Sequence, residues 1–153
     1  MSIRSDIEKN YQQSIRDKKS DITNTLRLIK SAIKDKDIVA RSTGNNNGIS
    51  DQEILVLLQN LVKQRKDSIE SFKTANRQDL IENEEAEIEI IKIYLPEQKN
   101  EEEISLIIED LIRSNNLSSI KDMGKLMGIM KNKYSGEIDM GLVGKVAKLK
   151  LGD

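Results

Sequence analysis

Apolar positions recur with helical period almost from one end of the chain to the other. Ile3, Ile7 and Tyr11 mark a first helix, and Ile22, Leu26, Ile29 and Ile33 mark a second that runs to about Ala40. The stretch STGNNNG, Ser42 to Gly48, interrupts the pattern with turn-forming residues and is expected to be a mobile polar loop. Ser50 then opens SDQE, with Glu53 three residues on. That spacing predicts a capping box, in which each end satisfies an orphan amide of the other. Ile54, Leu57, Leu58, Leu61 and Val62 follow, and the helix can continue through Ile69 and Phe72. Leu80, Ile81, Ile88, Ile91 and Leu95 give a fourth helix, which Pro96 ends, because a residue before proline is pushed out of helical geometry.

Beyond Pro96 the pattern resumes. Asn100 and Glu103 predict a second capping box, and Ile104, Ile107, Ile108 and Leu111 point inward until Asn115 and Asn116 close the helix. Lys121 to Asp139 reads KDMGKLMGIMKNKYSGEID. In it Met123, Leu126, Met127 and Met130 fall at i, i+3, i+4 and i+7. Gly136 stands where a helix stop belongs and Asp139 where the next helix is capped. Leu142, Val146 and Leu149 mark that last helix.

No strand-like alternation and no internal repeat interrupts this series. The expected fold is all-α, with an N-terminal helical hairpin domain over residues 1–95 and a small C-terminal three-helix bundle over 96–153. Only 3% of residues are aromatic and none is Trp, so the core must be Ile, Leu, Val and Met, which interdigitate well between helices.

Composition narrows the chemistry. Cys and His are both absent, which removes the thiol nucleophile, the disulfide, the commonest general base and the commonest metal ligand. There is no Gly-rich nucleotide loop and no GxSxG elbow. Glu82, Glu84, Glu85, Glu87 and Glu89 crowd the fourth helix, but helical spacing scatters them over different faces and makes no compact cage. No metal, no cofactor and no catalytic residue is expected. No apolar run approaches the ~20 residues that span a bilayer. The start, MSIRSDIEKNYQQ, is charged throughout and lacks a secretory h-region, so the expected compartment is the cytoplasm, with no membrane contact.

The net charge of −1 hides an asymmetry. Residues 1–78 carry 15 basic and 10 acidic residues, 79–110 carry 2 and 12, and 111–153 carry 8 and 4. Two mildly basic ends flank an acidic middle.

The basic ends hold the candidate sites. Arg27, Lys30 and Lys34 are spaced i, i+3, i+7 on the second helix, and Lys63, Arg65 and Lys66 lie on the third. If both faces meet they form a positive groove for phosphates; otherwise they are solvated faces with pairs such as Lys63–Asp67 and Lys66–Glu70. In the Met-rich helix Gly124 and Gly128 each cost roughly 1 kcal/mol relative to alanine. They point to a close approach, either of an RNA or partner backbone beside Lys121, Lys125, Lys131 and Lys133, or of a neighbouring helix in the bundle.

Four segments in order resemble the YqeY family, the free-standing relatives of the tail domain of the GatB amidotransferase subunit. These are TLRLIKSAIKDKDI (Thr25 to Ile38), VKQRKDSIESF followed by NRQDL (Val62 to Leu80), EIEIIKIYLPEQ (Glu87 to Gln98) and the KDMGKLMG block. The resemblance runs from about Ile3 to Leu149. It implies an all-helical fold of two domains, the second similar to the GatB tail, which engages tRNA while other domains do the chemistry. The family label is a carbon–nitrogen ligase with glutamine as amide donor, but the catalytic domains have no counterpart here, so the chain is not expected to be an enzyme by itself. After the Met-rich helix the family usually continues G-R-A-D-G; here Gly136-Glu137-Ile138-Asp139-Met140 places an acid at the arginine position.

Three roles follow. One is a tRNA-binding accessory protein with Lys121, Lys125, Lys131 and Lys133 as C-terminal contacts and Arg27, Lys30, Lys34 and Arg65 as a second patch. Another is a protein-interaction or regulatory module. The third is a component acting with amidotransferase subunits.

Overall fold

The structure, a computed structural model, describes residues 2–152. Seven helices account for its regular structure among the described residues: α1 Ile3–Arg16, α2 Ser20–Ser42, α3 Asp51–Thr74, α4 Gln78–Lys92, α5 Glu101–Ser114, α6 Met123–Tyr134 and α7 Met140–Leu151. A 3₁₀ turn, Ile120–Asp122, leads into α6. The chain forms two compact units, Met1–Leu95 and Pro96–Asp153.

In the first unit α1 packs on α2 and α3 on α4, and the two hairpins share a core that includes Ile7, Leu26, Ile29, Ile54, Leu58 and Ile91. Helix starts follow the sequence. The Ser50 side chain accepts from the Glu53 amide and Glu53 reaches back to Ser50, closing the capping box at α3. The hydroxyls of Ser14 and Thr23 hydrogen-bond at 2.7 Å, which satisfies two buried polar groups at the α1–α2 turn. α4 stops at Lys92, short of Pro96; Ile93, Tyr94 and Leu95 continue with amide bonds of i→i−3 type to Ile90, Ile91 and Lys92.

The 43–49 loop is bonded internally and to the helices around it. The Asn45 side-chain amide donates to the Gly48 carbonyl at 2.8 Å, and the Asn47 amide donates to Asn45 Oδ1 at 3.1 Å. Gly48 adopts φ +81, and a Cβ there would sit 2.5 Å from Asp37 Oδ1, so this turn requires glycine twice over.

The second unit is a three-helix bundle of α5, α6 and α7 around Ile104, Ile108, Leu126, Met130, Val143 and Ala147. Asn100 caps α5 by accepting from the Glu103 amide at 2.8 Å; the reciprocal bond from Glu103 is not made among the described residues, so the expected box forms by half. Gly136, at φ +84, ends α6, and Asp139 Oδ1 accepts from the Gly141 amide to start α7. A Ser119/Asp122 box with the local signature S-x-x-D opens the 3₁₀ turn.

Leu149 is 73% exposed, and α7 instead buries Val143, Val146, Ala147 and Leu151. The stripe is rotated because α7 packs against both α5 and α6, so its apolar arc is wider than a single row of leucines.

Candidate nucleic-acid interface

α6 buries Leu126 and Met130 and packs Met123 and Met127 against the same core, as their spacing requires. The opposite face is left to Gly124 and Gly128, both exposed. A Cβ added at either would meet nothing within 4 Å, so these glycines do not serve close packing inside the bundle. On α7, a Cβ at Gly144 would stand 3.6 Å from Met127 Cε, an ordinary packing contact.

Lys125 precedes Gly128 by three residues and Lys131 follows it by three, so all three share the outward face of α6. Lys121 precedes them in the 3₁₀ turn. Lys133 lies off this face, with Nζ 5.9 Å from the centre of the Tyr134 ring. No carboxylate is within ion-pairing distance of these four lysines among the described residues. The α6 face is therefore a cationic surface on which the helix backbone itself is uncovered at two positions.

Glu137, the acid at the departure from the family pattern, is taken up locally. It pairs with Lys99 at 3.7 Å, its carbonyl accepts from the Lys99 amide at 2.8 Å, and Gln98 donates to the neighbouring Gly136 carbonyl at 2.6 Å.

The second predicted patch divides. The groove that Arg27, Lys30 and Lys34 line takes none of Lys63, Arg65 and Lys66. Arg65 turns instead toward α4, where its Nε lies 2.7 Å from Glu87 Oε2 and 4.0 Å from Glu84 Oε2, with 12% of its side chain exposed. A second donor reaches the Leu61 carbonyl at 3.1 Å. The structure thus places Arg65 in an internal ion-pair cluster and not beside Arg27, Lys30 and Lys34. Glu84 feels this cluster as a shortage of positive charge: burial first, and then repulsion from Glu87, push its carboxyl above the ordinary range. Lys63 and Lys66 are exposed, and neither makes the pair to Asp67 or Glu70 that their spacing allows; Glu70 pairs with Lys73.

Arg27, Lys30 and Lys34 face α1 instead. Between α1 and α2 runs a groove of 640 Å³ floored by Ile7 and Ile33. From α1 it receives Arg4, Glu8 and Tyr11, spaced i, i+4, i+7, a helical face that the sequence displays but that carried no candidate. Lys30 pairs with Glu8 at 2.6 Å and lies 4.0 Å from the centre of the Tyr11 ring. The Lys30 hydrogen bond, helped by Gln12, holds the Glu8 carboxyl below its ordinary range. Arg4 grips Asp37 with two parallel bonds of 2.7 and 3.1 Å. Arg27 reaches only Asn24, at 3.4 Å, and Lys34 has no ion pair among the described residues.

Among the described residues no His, Cys, Asp and Glu group could hold a metal ion, and no helix is long and apolar enough to cross a membrane.

Comparison with known proteins gives a consistent picture. The family model described as "Yqey-like protein" matches residues 4–151. "Altered inheritance of mitochondria protein 41, mitochondrial" of Lachancea thermotolerans is 38% identical over 107 residues, covering 66% of this chain and 55% of that protein. The protein of the same name in Saccharomyces cerevisiae strain RM11-1a is 30% identical over 122 residues, covering 80% of this chain and 60% of its own length. That of Pyrenophora tritici-repentis is 25% identical over 132 residues, covering 83% of this chain and 70% of its own. The chain spans about half the length of the first of these relatives.

Proposed function

The chain belongs to the Yqey-like protein family, and from that premise we propose that it is a tRNA-binding accessory protein that engages RNA through the outward face of α6. The observation that carries this reading is the set of Lys121, Lys125 and Lys131, none within 4.0 Å of a carboxylate among the described residues although Lys125 acts electrostatically on Asp122, around two glycines with open space above them. A phosphodiester backbone is the ligand such a face suits: the lysines supply point charges, and the missing side chains let a ribose or phosphate approach helix backbone closely. We read any part in glutamine-dependent amidation of tRNA as that of an accessory, because likeness to a family does not by itself carry a reaction with it. Such a protein works wherever its tRNA is, in the cytoplasm or, as the relatives' names have it for those proteins, in mitochondria.

Binding of bulk tRNA across a salt series tests the proposal. Each phosphate contact steepens the fall of affinity with salt, so replacing three contacting lysines should lower the slope by roughly two to three. An affinity that is insensitive to salt, or equal in the variant, counts against it. For the amidotransferase link, the rate of glutamyl-tRNA conversion by separate catalytic subunits should change when the protein is added.

One observation favours a second reading, a protein-interaction module. Leu106 and Leu149 are 63% and 73% exposed. They line a groove of 590 Å³ between α5 and α7, with Glu101 and Glu102 at its edge. Partners that survive nuclease treatment in a pull-down would support this reading over RNA binding.

A further inference from the structure

The groove between α1 and α2 lies in the first unit and is independent of the α6 face. Two of its cations, Arg4 and Lys30, are already held in place. Arg4 uses three of its five N–H donors, two on Asp37 and one on the Ile49 carbonyl at 3.0 Å, which leaves two uncommitted on a guanidinium that cannot swing away. Asp37 is itself fixed by the Ile49 amide at 2.9 Å. Lys30 is fixed by Glu8 on one side and the Tyr11 ring on the other, and its ammonium retains donors beyond the one bond it gives. Donors held this way lose little freedom when a ligand arrives.

Arg27 and Lys34 stand one turn to either side of Lys30 on α2. Both lack a carboxylate partner among the described residues. The lining carries four cations, Arg4, Arg27, Lys30 and Lys34, against two carboxylates, Glu8 and Asp37, an excess of two positive charges. A phosphate monoester carries about −1.5 to −2 at pH 7 and matches that excess. A bare anion would leave the rest of the groove unused, for its floor is the apolar pair Ile7 and Ile33 and its wall includes the half-buried Tyr11 ring. The volume of 640 Å³ falls within the roughly 300–1,000 Å³ of small-molecule sites.

We infer that the α1–α2 groove binds an organic phosphate monoester of nucleotide size, its phosphate held by Arg27, Lys30 and Lys34 and its organic part lying over Ile7, Ile33 and Tyr11. The same chemistry is offered by a free nucleotide and by the 5′-phosphorylated end of an RNA strand.

The test is a titration of the full ¹⁵N-labelled chain, followed by amide shifts, with four probes: adenosine 5′-monophosphate, adenosine, inorganic phosphate, and a short RNA with or without a 5′-phosphate. The expected result is saturable shifts on α1 and α2 with the monophosphate, at least tenfold weaker binding of adenosine and of phosphate alone, and loss in the Arg27→Ala/Lys34→Ala variant. Both residues are exposed, so the variant should keep the native spectrum and melting temperature. If the 5′-phosphorylated RNA gives the same shifts more tightly than the monophosphate, and 5′-hydroxyl RNA does not, the source is an RNA end. If the monophosphate is the tighter ligand, the source is a free nucleotide. The inference is overturned if the monophosphate gives no saturable shift up to millimolar concentration, if phosphate alone binds as well, or if the variant binds equally. Because the variant leaves α6 untouched, this result and that of the tRNA experiment can fail separately.

Discussion

Arg4 and Asp37, 33 residues apart, are joined by a bidentate ion pair with bonds of 2.7 and 3.1 Å, and both partners also bond the backbone of Ile49. One pair thereby fastens the start of α1, the last third of α2 and the entry to α3 together. Replacing Asp37 by Asn keeps the shape and removes the charge, so the expected loss is about 1–2 kcal/mol, measured by urea unfolding.

That loss should depend on pH. The Arg4 hydrogen bond, with the Ile49 amide, holds the Asp37 carboxyl below its ordinary value of 3.8. A carboxyl with a lowered native pKa contributes fully above its unfolded value, and the contribution fades as pH falls through the native value. The gap between wild type and Asp37→Asn should therefore be constant near neutrality and shrink below about pH 4. A gap that widens on acidification would contradict the assignment.

Gly44 and Gly48 separate backbone strain from collision. Both have positive φ, +95 and +81, but a Cβ at Gly44 meets nothing within 4 Å while one at Gly48 meets Asp37 at 2.5 Å. Gly44→Ala should cost about 1 kcal/mol, the left-handed strain alone. Gly48→Ala should cost more, about 2–3 kcal/mol, because Asp37 must also move off Arg4. Thermal melts of the two variants check the order.

Much of the fold could be read along the sequence because its signals are local. Ser50 and Glu53 announce a helix start from within four residues, Pro96 ends the pattern before it, and Met123, Leu126, Met127 and Met130 define one face of α6. What required the third dimension was which faces meet. Arg65 reads as a surface cation until α4 brings Glu87 to it, and the partner of Arg27, Lys30 and Lys34 proved to be α1, a pairing that no local spacing states.

Arg65 serves two carboxylates, so its removal should be felt strongly. Arg65→Met leaves Glu84 and Glu87 facing each other half-buried, with an expected loss of about 2–3 kcal/mol at neutral pH. Glu84→Gln should be neutral or slightly stabilising, since the raised Glu84 carboxyl costs stability as pH climbs through its native value. Unfolding curves at pH 5 and pH 8 check the sign: any advantage of Glu84→Gln should grow at the higher pH.

Gly128 sits in the interior of α6 with open space above it, so Gly128→Ala should stabilise the chain by roughly 0.5–1 kcal/mol. If an RNA backbone uses that space, the same substitution, and Gly128→Leu more so, should weaken tRNA binding despite the gain in stability. Opposite signs in a melt and a binding curve from one variant would be difficult to obtain from a merely structural glycine.

The central claim, that the outward face of α6 binds tRNA, is tested most directly by electrophoretic mobility shift. Bulk tRNA would be titrated with wild type and with the Lys121→Glu/Lys125→Glu/Lys131→Glu triple variant at low and physiological salt. The account predicts a shift for wild type that weakens with salt and is absent for the variant, whose exposed positions leave its helical content unchanged. No shift for either protein, or an equal shift for both, would contradict it.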